Sequence, residues 1–256
     1  MTNIRLKLAQ LGRDTLPRLI ALGLNPRAWV ALITWPKFSV ASFEITSELL
    51  RQGIVPETVI DIGANVGQFA VASLKTFPQA RVHSFEPQPD SFAQLSKNVA
   101  SFSRSTVHAV ACGDFIGSTA FHVNTLSHSS SILPLATRHL EAFPEYREAS
   151  TIEVKVQTLD SLMSAIQPSG MTLLKIDVQG FEAKVLAGAS EALAQVDYVL
   201  LEASLRPLYE GEMLFPEMLE FMKARGFRFL RPLAWMKDPH NGEVLQMDAL
   251  FGREEA

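Results

Sequence analysis

The feature that most constrains the fold is a repeated alternation of short apolar strands and helices, which begins at Thr58. The first strand, Thr58–Ile62, is a β-branched run that ends in glycines, as buried parallel strands do. Further strands are predicted at residues 81–85, 106–111, 171–176, 196–201, 227–230 and 245–251. Helices are predicted at 68–76, 91–102 (with Asp90 as N-cap), 181–194 and 215–225. Repeated strand–helix units predict an α/β fold, a doubly wound and mostly parallel seven-stranded sheet with helices on both faces.

The alternation also divides the chain into parts. Residues 1–50 have helical composition and are expected to form an N-terminal extension, and residues 51–256 form the α/β domain. Within that domain, residues 118–157 interrupt the alternation, because two segments typical of antiparallel strands, 118–123 and 152–157, enclose a polar loop. Since long loops in compact domains are often functional, we expect this insertion to bind the substrate.

Charge is unevenly spread along the chain. The formal net charge is −4, so the composition does not indicate nucleic acid binding. Residues 1–40 nevertheless carry six basic residues and one acid, whereas the rest of the chain carries 17 basic and 26 acidic residues. Two interpretations of the basic segment stay open. It forms helices packed on the domain, or it contacts an anionic membrane surface, where each Lys or Arg contributes about 1 kcal/mol.

The single cysteine, Cys112, excludes an intramolecular disulfide and a cysteine-based metal cluster. Charged residues interrupt the first apolar stretch, so no secretory signal is expected. No run approaches the roughly 18 apolar residues that a membrane span needs. The histidines and carboxylates show no spacing typical of a metal site. We therefore expect a cytoplasmic protein without a metal, and peripheral membrane association through residues 1–40 stays an open alternative.

The first candidate site is the turn Asp61-Ile-Gly63-Ala-Asn65-Val-Gly67, which follows the first strand. Its glycines permit a tight turn and a close approach of the backbone to a ligand, and the next helix offers unpaired N–H groups. The spacing differs from the G-x-G-x-x-G of dinucleotide sites, because Asn65 replaces the second glycine and Gly67 comes one residue early. An acid at position 61 is unfavourable beside pyrophosphate but suits an ammonium group, such as that of S-adenosylmethionine.

Two later strand ends extend this site. Glu86 closes the second strand, 19 residues after Gly67, where a carboxylate can accept hydrogen bonds from both ribose hydroxyls. After the third strand, the backbone of Ala111 and Cys112 could meet the adenine edge, and Asp114 could accept from its exocyclic amino group. The alternatives are that Glu86 is a solvated acid and Asp114 a turn residue. The glycine turn and Glu86 together predict an adenosyl ligand.

The fourth strand contains Lys175 and ends at Asp177, beside the expected position of the donor. Buried charges are costly unless they are paired or functional. These two residues are therefore either a structural ion pair or part of a reaction centre.

These motifs together resemble the FkbM family of class I S-adenosylmethionine-dependent methyltransferases. The matching segments are Val59-Ile-Asp-Ile-Gly-Ala-Asn-Val-Gly-Gln-Phe69, Ser84-Phe-Glu-Pro87, Thr158-Leu-Asp160-Ser-Leu, Leu174-Lys-Ile-Asp-Val-Gln-Gly-Phe-Glu182 and Val185-Leu-Ala-Gly-Ala189. They lie within residues 58–205, and the K-x-D-x-x-G-x-E run is the most family-specific. The resemblance implies that S-adenosylmethionine is the methyl donor. It also implies O-methylation of a hydroxyl on a sugar, glycolipid, polysaccharide or polyketide.

The resemblance also implies roles for individual residues. It places four residues of the first turn on the methionine and ribose side of the donor: Asp61, Gly63, Asn65 and Gly67. Glu86 would bind the ribose, and Lys175 and Asp177 would lie at the reaction centre. Gln179 stands where relatives often carry glutamate, which leaves one acid fewer near the site.

A hydroxyl acceptor must lose its proton, which requires a general base. We hypothesise that this base is Asp177 or a histidine of the insertion. Three histidines lie in or beside residues 118–150, namely His122, His128 and His139. His128, in a serine-rich segment, is the preferred candidate, and a surface histidine without a role is the alternative. Glu202, at the end of the fifth strand, could bind acceptor hydroxyls or merely finish the strand.

The sequence disfavours three functions other than methyl transfer to a hydroxyl. The glycine spacing and Asp61 disfavour an NAD(P)-dependent oxidoreductase. A catalytically silent adenosyl-binding or scaffold protein would be expected to lose Asp61, a motif glycine or Glu86, and all are present. An RNA methyltransferase should have a basic stripe, whereas the body of this chain is acidic. An N-methyltransferase should have an Asn-Pro-Pro-Tyr type motif after the fourth strand, where this chain has Ile-Asp-Val-Gln. The expected partner is therefore a small-molecule, glycan or lipid-linked acceptor and not nucleic acid. Its identity and the oligomeric state are not predicted.

Overall fold

The structure is a computed structural model that describes residues 23, 26–124, 130–143 and 148–254. Its strands are β1 (Thr58–Ile62), β2 (Arg81–Phe85), β3 (Ser105–His108), β4 (Ala111–Cys112), β5 (Gly117–Asn124), β6 (Glu148–Gln157), β7 (Thr172–Ile176), β8 (Tyr198–Ser204), β9 (Phe227–Lys237) and β10 (Val244–Arg253). Its helices are α1 (Pro26–Thr34), α2 (Val40–Arg51), α3 (Gln68–Thr76), α4 (Pro89–Val99), α5 (Thr137–Ala142), α6 (Leu159–Ile166), α7 (Glu182–Ala187) and α8 (Phe215–Lys223), with a 3-10 turn at Ala192–Gln195. None of the helices in these described ranges has the length and apolar character needed to cross a membrane.

The main sheet contains seven strands within the described residues, in the order β3-β2-β1-β7-β8-β10-β9. Only β10 in this sheet runs antiparallel to its neighbours, β8 and β9. The strand order reverses between β1 and β7, where Asp61 pairs in register with Lys175. Ligands of such sheets bind beyond the carboxyl ends of the strands near this reversal. The predicted fold class, a doubly wound and mostly parallel seven-stranded sheet, is confirmed.

Alternate residues of the buried strands supply a core on each face of this sheet. Ile60 and Leu174 belong to the core beneath α6, α7 and α8, whereas Val59 and Leu173 belong to the core beneath α2, α3 and α4. Because successive side chains of a strand point to opposite faces, a fully apolar strand must be covered on both sides. The helices fix the carboxyl ends of β1 and β7 between these two cores.

The insertion and the short strand β4 that precedes it form a second sheet, which has three strands within the described residues in the order β4-β6-β5. The predicted antiparallel pair is present as β5 and β6, although β6 already begins at Glu148. The prediction of one strand over 106–111 is wrong. The chain leaves the main sheet after His108, and Ala111–Cys112 instead pairs with β6. The third strand thus leads directly from the main sheet into the insertion.

Two helix predictions need correction. The helix predicted over 181–194 is divided into α7, which ends at Ala187 with Gly188 as its C-cap, and a 3-10 turn at Ala192–Gln195. Gly188 packs tightly, since an added Cβ would lie 1.9 Å from the carbonyl oxygen of Gly113. The N-cap of α4 is Gln88, with Pro89 at the first helical position, so Asp90 lies inside the first turn. Pro89 decides this boundary because its fixed φ favours the start of a helix.

Helix α6 was not predicted, although its sequence contains the signals for one. The Thr158 side chain caps its first turn by accepting from the Ser161 N–H at 3.2 Å. Asp160, in the same motif, accepts from the N–H groups of Glu191 and Ala192 at 3.0 and 2.7 Å. The Thr158-Leu-Asp160 segment therefore connects the start of α6 to the start of the 3-10 turn.

Helix α2 of the N-terminal extension packs directly on the α/β domain. Ile45 and Leu49 are buried in the core that α3 and α4 also cover, and the Thr76 hydroxyl donates to the Thr46 hydroxyl at 3.1 Å. The first residues of α2 thereby reach the carboxyl edge of the sheet.

Candidate active site

A cavity of about 250 Å³ lies at the carboxyl ends of β1, β2, β7 and β8. The start of α2 forms one wall with Ser39, Ala41, Ser42 and Ile45, and the insertion adds Phe121, Ser130 and Ile132. The strand ends supply the floor, which includes Gly63, Asn65, Glu86, Ala111, Lys175, Asp177 and Glu202. This is the position in which the strand order predicts a ligand site.

The first turn depends on glycine because it packs against backbone. Gly63 has a φ of +78°, and an added Cβ would lie 1.8 Å from the carbonyl oxygen of Asp177. Gly67 has a φ of +91°, and an added Cβ would lie 2.9 Å from Leu95 Cδ1. Gly63 lines the cavity, whereas Gly67 lies behind its lining. Contacts within the protein are therefore sufficient to require both glycines.

Glu86 lies on the floor and is 6% exposed. Its Oε2 accepts from the Asn65 N–H and its Oε1 from the Gln88 N–H, both at 2.8 Å. Burial raises the pKa of Glu86 to about 7, although these two hydrogen bonds lower it. The carboxyl group is thus fixed at the edge of the cavity, and each oxygen has a lone pair left for a ligand hydroxyl.

The loop after the third strand is divided between the cavity and the surface. Ala111 and Cys112 line the cavity. Asp114 is not among the lining residues, and its carboxylate pairs with the Lys184 ammonium at 2.9 Å. The structure therefore does not bring Asp114 to the site. Burial raises the pKa of the Cys112 thiol to about 12, which leaves no thiolate for chemistry at neutral pH.

Lys175 is a buried ammonium between two carboxylates. Its Nζ lies 3.1 Å from Asp177 Oδ2 and 3.4 Å from Asp61 Oδ1, and 5.5 Å from the centre of the Phe69 ring. Burial lowers the pKa of Lys175, but the two carboxylates outweigh that effect and raise it above its usual range. Asp61 is fully buried beneath the lining, so Lys175 separates it from the cavity.

Asp177 presents a partly exposed carboxylate to the cavity, with 31% of its side chain exposed. Burial raises the pKa of Asp177, but Lys175 and the Gln179 amide together lower it by more than burial raises it. The pKa of Asp177 therefore lies below its usual value. The Gln179 Nε2 donates to Asp177 Oδ1 at 2.8 Å. Both oxygens of this carboxylate are therefore held in place.

Gln179 connects two carboxyl groups and a tyrosine hydroxyl at the side of the cavity formed by β7 and β8. Its Nε2 also donates to Glu202 Oε2 at 2.5 Å, and the Tyr209 hydroxyl donates to its Oε1 at 2.6 Å. Burial and the nearby Asp177 raise the pKa of Glu202 well above its usual value. Burial likewise raises the pKa of Asp248, which also lines the cavity, to about 6. The connecting role of Gln179 and the contributions of Asp248 and Tyr209 were not predicted from the sequence.

The backbone of this turn is held from two sides. The buried Glu182 carboxylate accepts from the Val178 N–H at 3.0 Å, and burial raises its pKa to about 8. The Ser131 hydroxyl of the insertion donates to the Gln179 carbonyl at 2.7 Å. Gly180 has a φ of +94°, and an added Cβ would lie 2.6 Å from Tyr209 Cβ. The acid of the family motif, Glu182, thus stabilises the turn that presents Asp177.

The histidines considered as bases lie away from the cavity where the structure describes them. His122 is on β5, and His139 is buried on α5 with its ring centre 5.4 Å from that of Tyr209. Neither is among the residues that line the cavity. His128, the preferred candidate, lies outside the described residues.

Carboxyl groups outnumber cations around the cavity. Within the described residues, the Lys175 ammonium pairs with the carboxylates of Asp61 and Asp177, and Glu202 and Asp248 also line the cavity. Burial raises the pKa of Asp61, Glu202 and Asp248, whereas the pKa of Asp177 is lowered, so Asp177 is the carboxyl group that most readily carries negative charge towards a ligand. Among the described residues, no group of three or more His, Cys, Asp or Glu side chains has the arrangement of a metal site.

Comparison with known proteins identifies the family. The family model described as "Methyltransferase FkbM domain" matches residues 61–229, which is well over half of the chain. The chain belongs to the FkbM methyltransferase family. It is therefore an S-adenosylmethionine-dependent methyltransferase of the class I fold, and the oxidoreductase alternative is set aside.

Three curated relatives cover most of this domain. The 2-O-methyltransferase NoeI of Sinorhizobium fredii is 29% identical over 80% of this chain and 86% of its own length. The 31-O-demethyl-FK506 methyltransferase FkbM of Streptomyces tacrolimicus is 25% identical over 70% and 74%. The hexuronic acid methyltransferase AglP of Haloferax volcanii is 27% identical over 60% and 59%. Of the solved structures, the magnesium protoporphyrin IX methyltransferase of Synechocystis aligns with a TM-score of 0.46 and 11% identity, over 95% and 93% of the chains.

Proposed function

We propose that the protein transfers the methyl group of S-adenosylmethionine to a hydroxyl of a sugar, glycan, glycolipid or polyketide-type acceptor. The observation that carries this proposal is that Glu86 and Asp177 line one cavity across the strand-order reversal. The relatives' names support the acceptor class, since they include a 2-O-methyltransferase, a hexuronic acid methyltransferase and a 31-O-demethyl-FK506 methyltransferase.

The residues of the cavity fit an adenosyl sulfonium ligand. Glu86 keeps free lone pairs for two ribose hydroxyls, and the backbone of Ala111 and Cys112 lies on the side where adenine would bind. The ionised Asp177 supplies negative charge next to the reaction centre. Bound S-adenosylmethionine would supply an electrophilic methyl group there. Asp61 pairs with Lys175 and is not among the residues that line the cavity, so its proposed role is to hold Lys175 in place.

The proposed reaction needs an aligned acceptor and a base. Asp177 is held by Lys175 and Gln179, so its orientation is fixed before the acceptor binds. The acceptor oxygen forms a bond to the methyl carbon while the carbon–sulfur bond breaks, and the hydroxyl proton passes to Asp177. Glu202 and Asp248 keep their protons more readily and hydrogen-bond to neighbouring hydroxyls of the acceptor. S-adenosylhomocysteine and the methyl ether are the products.

The donor site is tested first by titration calorimetry with S-adenosylmethionine, S-adenosylhomocysteine and NAD. We expect the wild type to bind both adenosyl ligands and not NAD. Glu86→Gln should weaken both by roughly tenfold to a hundredfold, because a hydrogen bond to a charged group contributes about 1.5–3 kcal/mol. The matched control is Asp114→Asn, which changes an acid outside the cavity and should leave the affinity within about twofold. Equal effects of the two substitutions would contradict the assignment of Glu86.

The acceptor class is tested by transfer of a labelled methyl group to a panel of neutral sugars, uronic acids, lipid-linked glycans and polyketides. Alkali-stable label in a methyl ether supports the proposal, whereas label in an amine contradicts it. A folded protein that binds the donor but methylates no member of the panel would favour the catalytically silent alternative.

A further inference from the structure

Helix α1 presents its large apolar side chains to the outside. Only Ala28 and Ala31 of this helix are buried, and both are small. Four large side chains point away from the body instead, and they are 53% to 79% exposed: Trp29, Val30, Leu32 and Ile33. A helix on a water-facing surface buries its apolar stripe, so this orientation is inverted. An apolar patch of this kind indicates a surface that contacts something other than water.

The helix is nevertheless firmly attached to the domain. Ala28 and Ala31 pack with Phe43 of α2, and Trp35 and Phe38 complete this cluster. The ring centres of the three aromatic residues lie 5.7 to 5.9 Å apart. Rotating α1 to bury its large residues would break this packing. The exposed face is therefore a stable feature of the surface.

The charge of the surrounding segment indicates what this face contacts. Residues 1–40 carry six basic residues and one acid, whereas the rest of the chain has an excess of nine acids. A second copy of the chain would bring two basic segments together, and their charges would repel. An anionic lipid surface instead attracts basic residues, and apolar side chains such as Trp and Leu insert at the headgroup boundary.

We propose that the exposed face of α1 docks on an anionic membrane surface, with the basic residues of segment 1–40 contributing electrostatic attraction. The cavity wall follows α1 closely, because Ser39 and Ala41 line the cavity only a few residues after Thr34. Docking at α1 would thus bring a membrane-held acceptor near the site. The docking itself does not depend on the acceptor class.

The test is co-flotation of the full-length protein with vesicles at physiological salt. One set contains phosphatidylglycerol and phosphatidylcholine in equal parts, and the other contains phosphatidylcholine alone. The docking variant is Trp29→Ser with Ile33→Ser. The chain offers a matched control, Trp235→Ser with Ile116→Ser, because Trp235 is 45% and Ile116 69% exposed at other places on the surface. Unfolding midpoints of both variants show whether each is folded.

Wild type and control are expected to float with the mixed vesicles, and the docking variant to bind about tenfold or more weakly, given the apolar area lost. Binding to phosphatidylcholine vesicles should be much weaker, and salt should weaken binding to the mixed vesicles. Equal flotation of the two variants, equal binding to both vesicle types, or no binding of wild type would overturn the proposal. A dimer in light scattering that only the docking variant dissociates would show that a second copy covers this face.

Discussion

The two ends of the cavity, which we propose to bind the methyl donor and the acceptor, are built in different ways. At the donor end, one short segment supplies the turn at Gly63 and Asn65, and Glu86 follows at the end of the next strand. At the acceptor end, Gln179 joins carboxyl and hydroxyl groups from the separate segments of Glu202 and Tyr209. The donor end is held mainly by backbone groups and the acceptor end mainly by side chains. The comparison indicates that donor binding is built into the fold, whereas acceptor binding can change through single side chains.

The largest effect is expected from Asp177→Asn at the acceptor end. Loss of the base should lower kcat about a hundredfold or more, because general base catalysis contributes about 10²–10⁴. The affinity for S-adenosylhomocysteine should change by less than about threefold, since Glu86 and the first turn are untouched. Turnover and calorimetry on the same samples measure this split. If donor affinity fell as steeply as kcat, the two ends would not be separate.

At the donor end, Gly63→Ala should mainly cost stability. An added Cβ would lie 1.8 Å from a backbone oxygen that cannot move aside, and φ is +78°. We expect a loss of about 3 kcal/mol or more in the free energy of unfolding, from overpacking together with backbone strain. Urea unfolding measures it.

The matched control for Gly63 is Gly53→Ala. Gly53 has a φ of +76° but nothing within 4 Å of the added Cβ. Its loss should be limited to about 1–2 kcal/mol of backbone strain. Similar losses in the free energy of unfolding at both positions would mean that the contact with the Asp177 backbone adds nothing to the loss at Gly63.

This difference also explains what could be predicted from the sequence. Gly63 and Glu86 directly follow two successive strands, β1 and β2, so their positions follow from a short local pattern in the sequence. Gln179 lies two residues after Asp177 in the sequence, yet its role depends on contacts with Glu202 and Tyr209. Those contacts form only when distant segments fold together. Asp114 shows the opposite case, because its place in the sequence predicts adenine contact, whereas in the structure it pairs with Lys184 and is not among the residues that line the cavity.

Gln179→Ala tests the connecting residue itself. Loss of its amide N–H removes a hydrogen bond that lowers the pKa of Asp177, so the acid limb of the pH–rate profile should move to higher pH. At neutral pH, kcat should fall by roughly tenfold. The matched control is Gln167→Ala, another glutamine with positive φ, which lies at the end of α6. An unchanged profile for Gln179→Ala, or the same shift in the control, would contradict a role in positioning Asp177.

The smallest predicted effect concerns His83, on β2 beside the donor end. Its ring centre lies 5.9 Å from that of His108, and burial and His108 lower the pKa of His83 to about 4. The unfolded chain binds a proton near pH 6.5, so its protonation opposes folding as the pH falls from 6.5 towards 4. We expect this histidine to remove about 1 kcal/mol of stability between pH 6.5 and 5, after allowance for partial solvent exposure.

Buried acids with raised pKa, such as Glu86, change stability in the opposite direction, so the comparison must be made against His83→Asn. That variant should lose less stability over this interval than wild type, whereas His240→Asn, at an exposed histidine, should follow wild type. Parallel curves of the free energy of unfolding against pH for all three proteins would show that folding does not oppose protonation of His83.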